Sequence, residues 1–200
     1  MAASLVLAKT FKSFADLAAA YKEGVDYSIK KRSGLHPHIA VVAPHGGAIE
    51  PPTSQIASDI AGQEFSCYLF EGIRKSNNYK ALHLTSEYFD ERKCLELIAD
   101  CDQVVTVHGC KEGEVEVLLG GRDKALAVLI AEALEAEGVR ARLEGHDFTG
   151  TASTNICNQG KSKAGVQLEL TEALRESPDA VAGVVRAVRR VLMQAAGIGA

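Results

Sequence analysis

The chain has 200 residues, 46% hydrophobic and 24% charged, with 26 acidic against 22 basic side chains and a net charge of −4. That is ordinary globular composition, long enough to bury on the order of 70% of its unfolded surface. It excludes a disordered tail, a collagen or coiled-coil repeat and a disulfide-rich mini-protein, and it offers no global attraction for nucleic acid or an anionic membrane.

Taken in chain order, the first apolar stretch is Ala2 to Ala8, too short and without the basic flank of a signal peptide. Phe11, Phe14, Leu17, Ala18 and Tyr21 share one helical face. Lys30-Lys31-Arg32 reads as a solvated loop. His38 to Ala43 is a compact apolar run ending at Pro44, a strand, with His36 and His38 as loop residues at its entrance. Thr53 or Ser54 can cap a helix running to about Gln63 with Ile56 and Ile60 inward. Ser66 to Phe70 and Ala81 to Thr85 read as short strands, the latter placing His83 in the core or on the surface. Glu91 to Cys101 is helical, with Cys94 and Cys101 on its apolar stripe, and Gln103 to Val107 is a β-branched buried strand. Lys124 to Glu137 is a helix closed by Gly138. His146 sits in a turn, and Gly165 to Leu170 alternates as a strand. Ser177-Pro178 opens a last helix with Val181, Val184, Val185, Val188, Val191 and Leu192 inward.

Short buried strands between amphipathic helices define an α/β chain: a three-layer sandwich with a central sheet flanked by helices, one domain over residues 1–200. Five cysteines, an odd number with no Cys-x-x-Cys pair, argue against a disulfide framework. No run approaches the roughly 18 apolar residues of a membrane span, so a cytoplasmic location and no membrane partner are expected.

Ligands of open α/β sheets gather beyond the carboxyl ends of the strands. There the first apolar strand is followed by Pro44-His45-Gly46-Gly47-Ala48-Ile49-Glu50, and Gln103 to Val107 is followed by His108-Gly109. Two glycines let the backbone turn so that His45 and Glu50 converge, and His108 completes a His, Glu, His set. Two neutral imidazoles and one carboxylate suit one zinc ion, leave the site net positive and keep a fourth position open for water. Glu169, on the face of its strand opposite Val166 and Leu168, is the candidate general base. The same residues have plainer readings: hydrogen-bonded loop histidines, a glycine turn, a surface Glu50 and a Glu169 on a solvated face. The spacing matches none of the short zinc motifs.

The segment APHGGAIEPPTSQIA (Ala43 to Ala57) resembles the HGGxIExxT signature of the phage poly-γ-glutamate hydrolase family. The likeness continues in order through YLFEG, LHLTSEYFDE, VTVHG, LLGGRD and NICNQGKSKAGVQLEL, over about residues 38–175. It implies a carboxypeptidase-like fold with a mixed sheet, a zinc ion on His45, Glu50 and His108, Glu169 as general base, and γ-glutamyl amide bonds as substrate. Arg122, after Gly120-Gly121, is a candidate clamp for a substrate carboxylate or the tetrahedral oxyanion. Asn155 and Asn158 are candidate binders of carboxylate or amide, and Lys161 and Lys163 candidate cationic handles. The alternatives are a carboxypeptidase-like zinc amidohydrolase acting on small N-acyl or γ-glutamyl amino acids or cell-wall peptides, and a non-catalytic metal-binding module. No basic stripe with interleaved aromatics supports a nucleic-acid partner. A monomer or small homo-oligomer is expected, released by lysis if phage-derived.

Overall fold

The computed structural model describes residues 11–111 and 113–198. Ala2 to Ala8 lies outside them.

Seven strands form one mixed sheet: β1 (Tyr27–Arg32), β2 (His36–Gly47), β3 (Phe65–Gly72), β4 (Gln103–Cys110), β5 (Glu116–Gly121), β6 (Arg140–Arg142) and β7 (Val166–Thr171). Their spatial order is β1-β3-β2-β4-β7-β5-β6. The centre, β3, β2, β4 and β7, is parallel. β1 runs antiparallel to β3, and β5 antiparallel to β7 with β6 parallel beside it. The helices are α1 (Phe14–Ala20), α2 (Thr53–Ala61), α3 (Asn78–Leu82), α4 (Arg92–Ile98), α5 (Lys124–Ala136), α6 (Glu172–Arg175) and α7 (Pro178–Ala195), with a 3-10 turn at Ile156–Gln159.

Strand alternation divides the core into two layers, which is the expected three-layer sandwich. One face puts Ile39, Val41, Val105, Val107, Val166, Leu168 and Leu170 against α2, α5 and α7. The other puts Ala40, Val42, Tyr68, Phe70 and Val104 against Leu17, Leu82, Cys94, Ile98 and Ile156. On this second face β4 and β7 turn polar toward their carboxyl ends, through Thr106 and His108 and through Gln167, Glu169 and Thr171, all buried. The cysteines are buried, as the helical stripe implies for Cys94 and Cys101.

Four local expectations are corrected. Residues 81–85 form no strand: α3 ends at Leu82 and the chain runs on irregularly. Leu82 and Leu84 are both buried and mimic strand alternation, but β1 and β2 already occupy both edges of β3. Lys30-Lys31-Arg32 lies in edge strand β1, where charge is compatible with pairing on one side only. Thr53 and Ser54 do not cap α2: the Thr53 hydroxyl donates to the His45 carbonyl at 3.2 Å, and Ser54 Oγ accepts from Gly47 N–H at 2.9 Å. The histidines 36 and 38 stand inside the first residues of β2, which starts two residues earlier and runs four residues later than expected.

Candidate metal centre

The extra length of β2 matters, because it carries His45 in the strand. Gly46 and Gly47 then reverse the chain within two residues. Gly47 has φ +60°, and a Cβ there would lie 2.6 Å from the Gly72 carbonyl oxygen. A Cβ on Gly46 would lie 2.0 Å from Ser54 Oγ. The turn closes with Glu50 N–H donating to the His45 carbonyl at 3.0 Å, which brings Glu50 back beneath the histidine.

His45, Glu50 and His108 meet, all buried. His45 Nε2 lies 2.8 Å from the Leu84 carbonyl oxygen. A carbonyl only accepts, so Nε2 carries the proton and Nδ1 faces the cluster. That Nδ1 is 3.1 Å from Glu50 Oε1 and 3.1 Å from His108 Nδ1. His108 Nδ1 is 4.0 Å from Glu50 Oε2, which also accepts Gly109 N–H at 2.9 Å. His83 enters from the end of α3, its Nε2 3.3 Å from Glu50 Oε1 and its ring between those of His45 and Tyr79 at 4.1 and 4.6 Å. Ligand atoms of His45, Glu50 and His83 all lie within 4.8 Å of one another.

This donor set fits zinc. In a tetrahedral site with bonds of about 2.0–2.1 Å, neighbouring donors stand roughly 3.3 Å apart. Two buried Nδ1 atoms facing each other need a proton or a cation between them, and His108 Nε2 is buried with no partner among the described residues. Burial opposes charge on His45, but the charge and hydrogen bond of Glu50 outweigh it and raise its pKa. Burial would raise Glu50, yet His45 and the other imidazoles hold it well below the usual carboxylate range. Burial, with His45 beside it, pushes His108 down to about 3, so this imidazole stays neutral and able to ligate. Burial and His45 also lower His83.

Glu169 pairs in register with His108 on the neighbouring strand, on the same face. Its Oε1 accepts Gln167 Nε2 at 3.0 Å; Gln167 Oε1 in turn accepts Asn155 Nδ2 at 2.9 Å, and Asn155 Oδ1 accepts Cys157 N–H at 3.1 Å. Burial and the charge of Glu50 push the Glu169 carboxyl up to about 8, against the pull of His45 and Arg175. His45, Glu50, His83, His108, Asn155, Gln167 and Glu169 line one cleft of about 960 Å³.

Other expected residues are not brought to this cleft. Arg122 is exposed and outside its lining, with Nε bonded to the Thr151 carbonyl at 2.8 Å. Asn158 spends its amide on the Gly150 and Ala152 carbonyls and accepts from Gly165 N–H, so it fastens a loop. Lys161 pairs with Asp102 at 3.0 Å, and Lys163 reaches the Gln159 carbonyl. The cations that do line the cleft are Lys80, Lys111 and Arg175, alongside the acids Glu87, Asp147 and Glu172. Sequence reasoning missed His83, Gln167 and Arg175. Gln167 carried a signal, sharing the polar face of its strand with Glu169; His83 and Arg175 carried none in their periodicity.

Residues 11–178 match the poly-gamma-glutamate hydrolase family. The chain belongs to that family. It is 34% identical over 154 residues to YndL of Bacillus subtilis (strain 168), an alignment covering 76% of this chain and 60% of YndL. The chain thus matches less than two thirds of that relative's length. A bacteriophage poly-gamma-glutamate hydrolase structure superposes with TM-score 0.88 at 28% identity, covering 94% of this chain and 99% of that one. A zinc-free apo structure of YndL gives 0.84 at 27% identity, covering 92% and 98%. N-formylglutamate amidohydrolase from Ralstonia eutropha JMP134, at TM-score 0.54 and 10% identity over 86% and 98%, shares the fold alone. The fold is the carboxypeptidase-like one that the sequence resemblance implies. Among the described residues no helix is long and apolar enough to cross a membrane.

Proposed function

We propose that the chain is a zinc-dependent hydrolase of γ-glutamyl amide bonds, acting on poly-γ-glutamate. The observation that carries this reading is the meeting of His45 Nδ1, His108 Nδ1 and Glu50 at donor spacing, in one cleft with a buried Glu169. His45, Glu50 and His108 would hold one zinc ion, with His83 at the edge of the set. When bound, zinc acts as a Lewis acid that polarises a carbonyl and makes water acidic. Glu169, pinned through Oε1 by Gln167, takes a proton from the attacking water at its other oxygen. As the new C–O bond forms and the C–N bond breaks, the same oxygen delivers that proton to the leaving nitrogen. Burial raises the carboxyl's affinity for a proton, which favours its holding the water's proton until the nitrogen leaves, while a cation held by His45, Glu50 and His108 would favour the carboxylate form that accepts that proton.

Membership of the family supports the substrate class. A γ-linked glutamyl unit keeps its α-carboxylate, so the polymer is a polyanion. Lys80 and Lys111 on the cleft wall are the cations available to substrate carboxylates, and they share the lining with the acids Glu87, Asp147 and Glu172. A cleft of about 960 Å³ accommodates more than one glutamyl unit.

The test is incubation of the protein with poly-γ-glutamate and zinc, following polymer length. The expected result is shortening that Glu169→Gln slows by roughly 10²–10⁴-fold. Undiminished cleavage by that variant removes Glu169 as the base. Inert polymer with release of single amino acids from small γ-glutamyl amides would reassign the substrate.

A further inference from the structure

Arg175 sits on the single turn of α6, directly after β7, and lines the cleft. Its guanidinium bonds three backbone carbonyls: Nε donates to Leu170 at 3.1 Å, Nη2 to Cys110 at 3.1 Å and Nη1 to Pro51. Each carbonyl stands just past a residue of the proposed site. Pro51 follows Glu50, Leu170 follows Glu169, and Cys110 is two residues beyond His108. No carboxylate lies within 4.0 Å of Arg175 among the described residues, so its cation is committed to these carbonyls rather than to an ion pair. The guanidinium also packs over Gly109: a Cβ there would lie 2.7 Å from Nε and 2.8 Å from Cζ. Gly109 is the residue whose N–H holds Glu50 Oε2.

We infer that Arg175 is a positioning residue that ties the ends of β4, β7 and the turn after β2, and so sets the spacing of Glu50, His108 and Glu169. The inference rests on the proposed function for what the spacing serves. A guanidinium suits the task because its N–H groups form a planar fork of fixed geometry. Lysine keeps the charge but concentrates its donors on one nitrogen, which cannot span three carbonyls. The glycine after His108 then has a reason: it leaves room for the fork.

The experiment compares wild type, Arg175→Lys, Gly109→Ala and the double variant. The first readout is hydrogen exchange of the Gly109 amide in zinc-free protein, which requires no activity. The second is zinc affinity, by competition with a chromophoric chelator. The third is kcat and KM on poly-γ-glutamate. Arg175→Lys is expected to keep its far-UV circular dichroism, exchange the Gly109 amide faster, bind zinc roughly 10–100-fold more weakly and lose kcat with little change in KM. Gly109→Ala, which keeps the arginine and displaces it, should reproduce these losses, and the double variant should add little to either. Wild-type exchange and zinc affinity in Arg175→Lys overturn the inference. So does a rise in KM alone, which would make Arg175 a handle for substrate carboxylate, and so does full additivity in the double variant. If Arg175→Lys does not fold, Gly109→Ala carries the same readouts. A wild type that neither binds zinc nor cleaves polymer overturns the functional reading, while Gly109 exchange still decides the tether.

Discussion

Glu169 shows how one side chain links the fold to pH. In zinc-free protein its carboxyl is pushed up to about 8 by burial first and by Glu50 second, from an ordinary value of 4.5. Between those two values the folded state holds a proton that the unfolded state releases, so raising the pH favours unfolding. The stability this group contributes is complete below about 4.5 and is lost as the pH climbs through about 8. Each unit of pKa is worth about 1.4 kcal/mol. With zinc chelated, Glu169→Gln should therefore gain on wild type steadily from pH 5 to pH 8, because its amide does not titrate. Thermal melts of both proteins across that range measure the difference, and a constant gap would contradict the buried, protonated carboxyl. The alternating run at residues 165–170 already put Glu169 opposite Val166 and Leu168. His83 was illegible by comparison. The apolar leucines on either side of it suggested a strand, while its place beside Glu50 depends on where α3 ends.

Elements decide which residues converge. β2 exits its parallel neighbours at Gly46 and Gly47, and the Thr53 and Ser54 hydroxyls of α2 fasten that exit. Gly47→Ala should test the turn directly. Its φ of +60° costs a side-chain residue about 1–2 kcal/mol before the contact with the Gly72 carbonyl is counted. We expect a loss of about 2 kcal/mol or more in denaturant unfolding, together with weaker zinc binding, since the same turn aims Glu50. Unchanged stability would mean that the turn has slack. The central strands were readable because both their faces are buried, as continuous apolar runs in β2, β3 and the start of β4 and as strict alternation in β7. β1 was not, since an edge strand tolerates Lys30 and Lys31, and β6 was not, since three residues carry too little pattern. β5 was assigned to no element, since the Gly120-Gly121 pair at its end carries no strand signal, although all six of its residues are buried.

At the scale of the whole molecule, the proposed zinc ties β2 and β4, two strands already paired in the sheet, to the turn that carries Glu50. A ligand that binds only the folded state stabilises it by mass action, by about 4 kcal/mol at a thousandfold excess over Kd. For a chain of this size that corresponds to a rise in Tm of roughly 8–16 °C. Chelation should reverse the rise, and His108→Ala should abolish it, as read by scanning calorimetry. An equal rise in the variant would place the metal elsewhere.

Apolar periodicity alone marked the layers, the buried central strands and the face of β7 that carries Glu169, because those features are set by neighbours within a few residues. The order of HGG, the later His-Gly and the last strand also marked His45, Glu50, His108 and Glu169 as one set. The tertiary structure decided which other side chains reach the cleft. It left Arg122 and Asn158 to hold loops, and brought in His83 from the end of α3 and Arg175 from α6. The physical reason is reach: a long or terminal side chain finds its partners across elements far apart in sequence, and no local pattern records that distance.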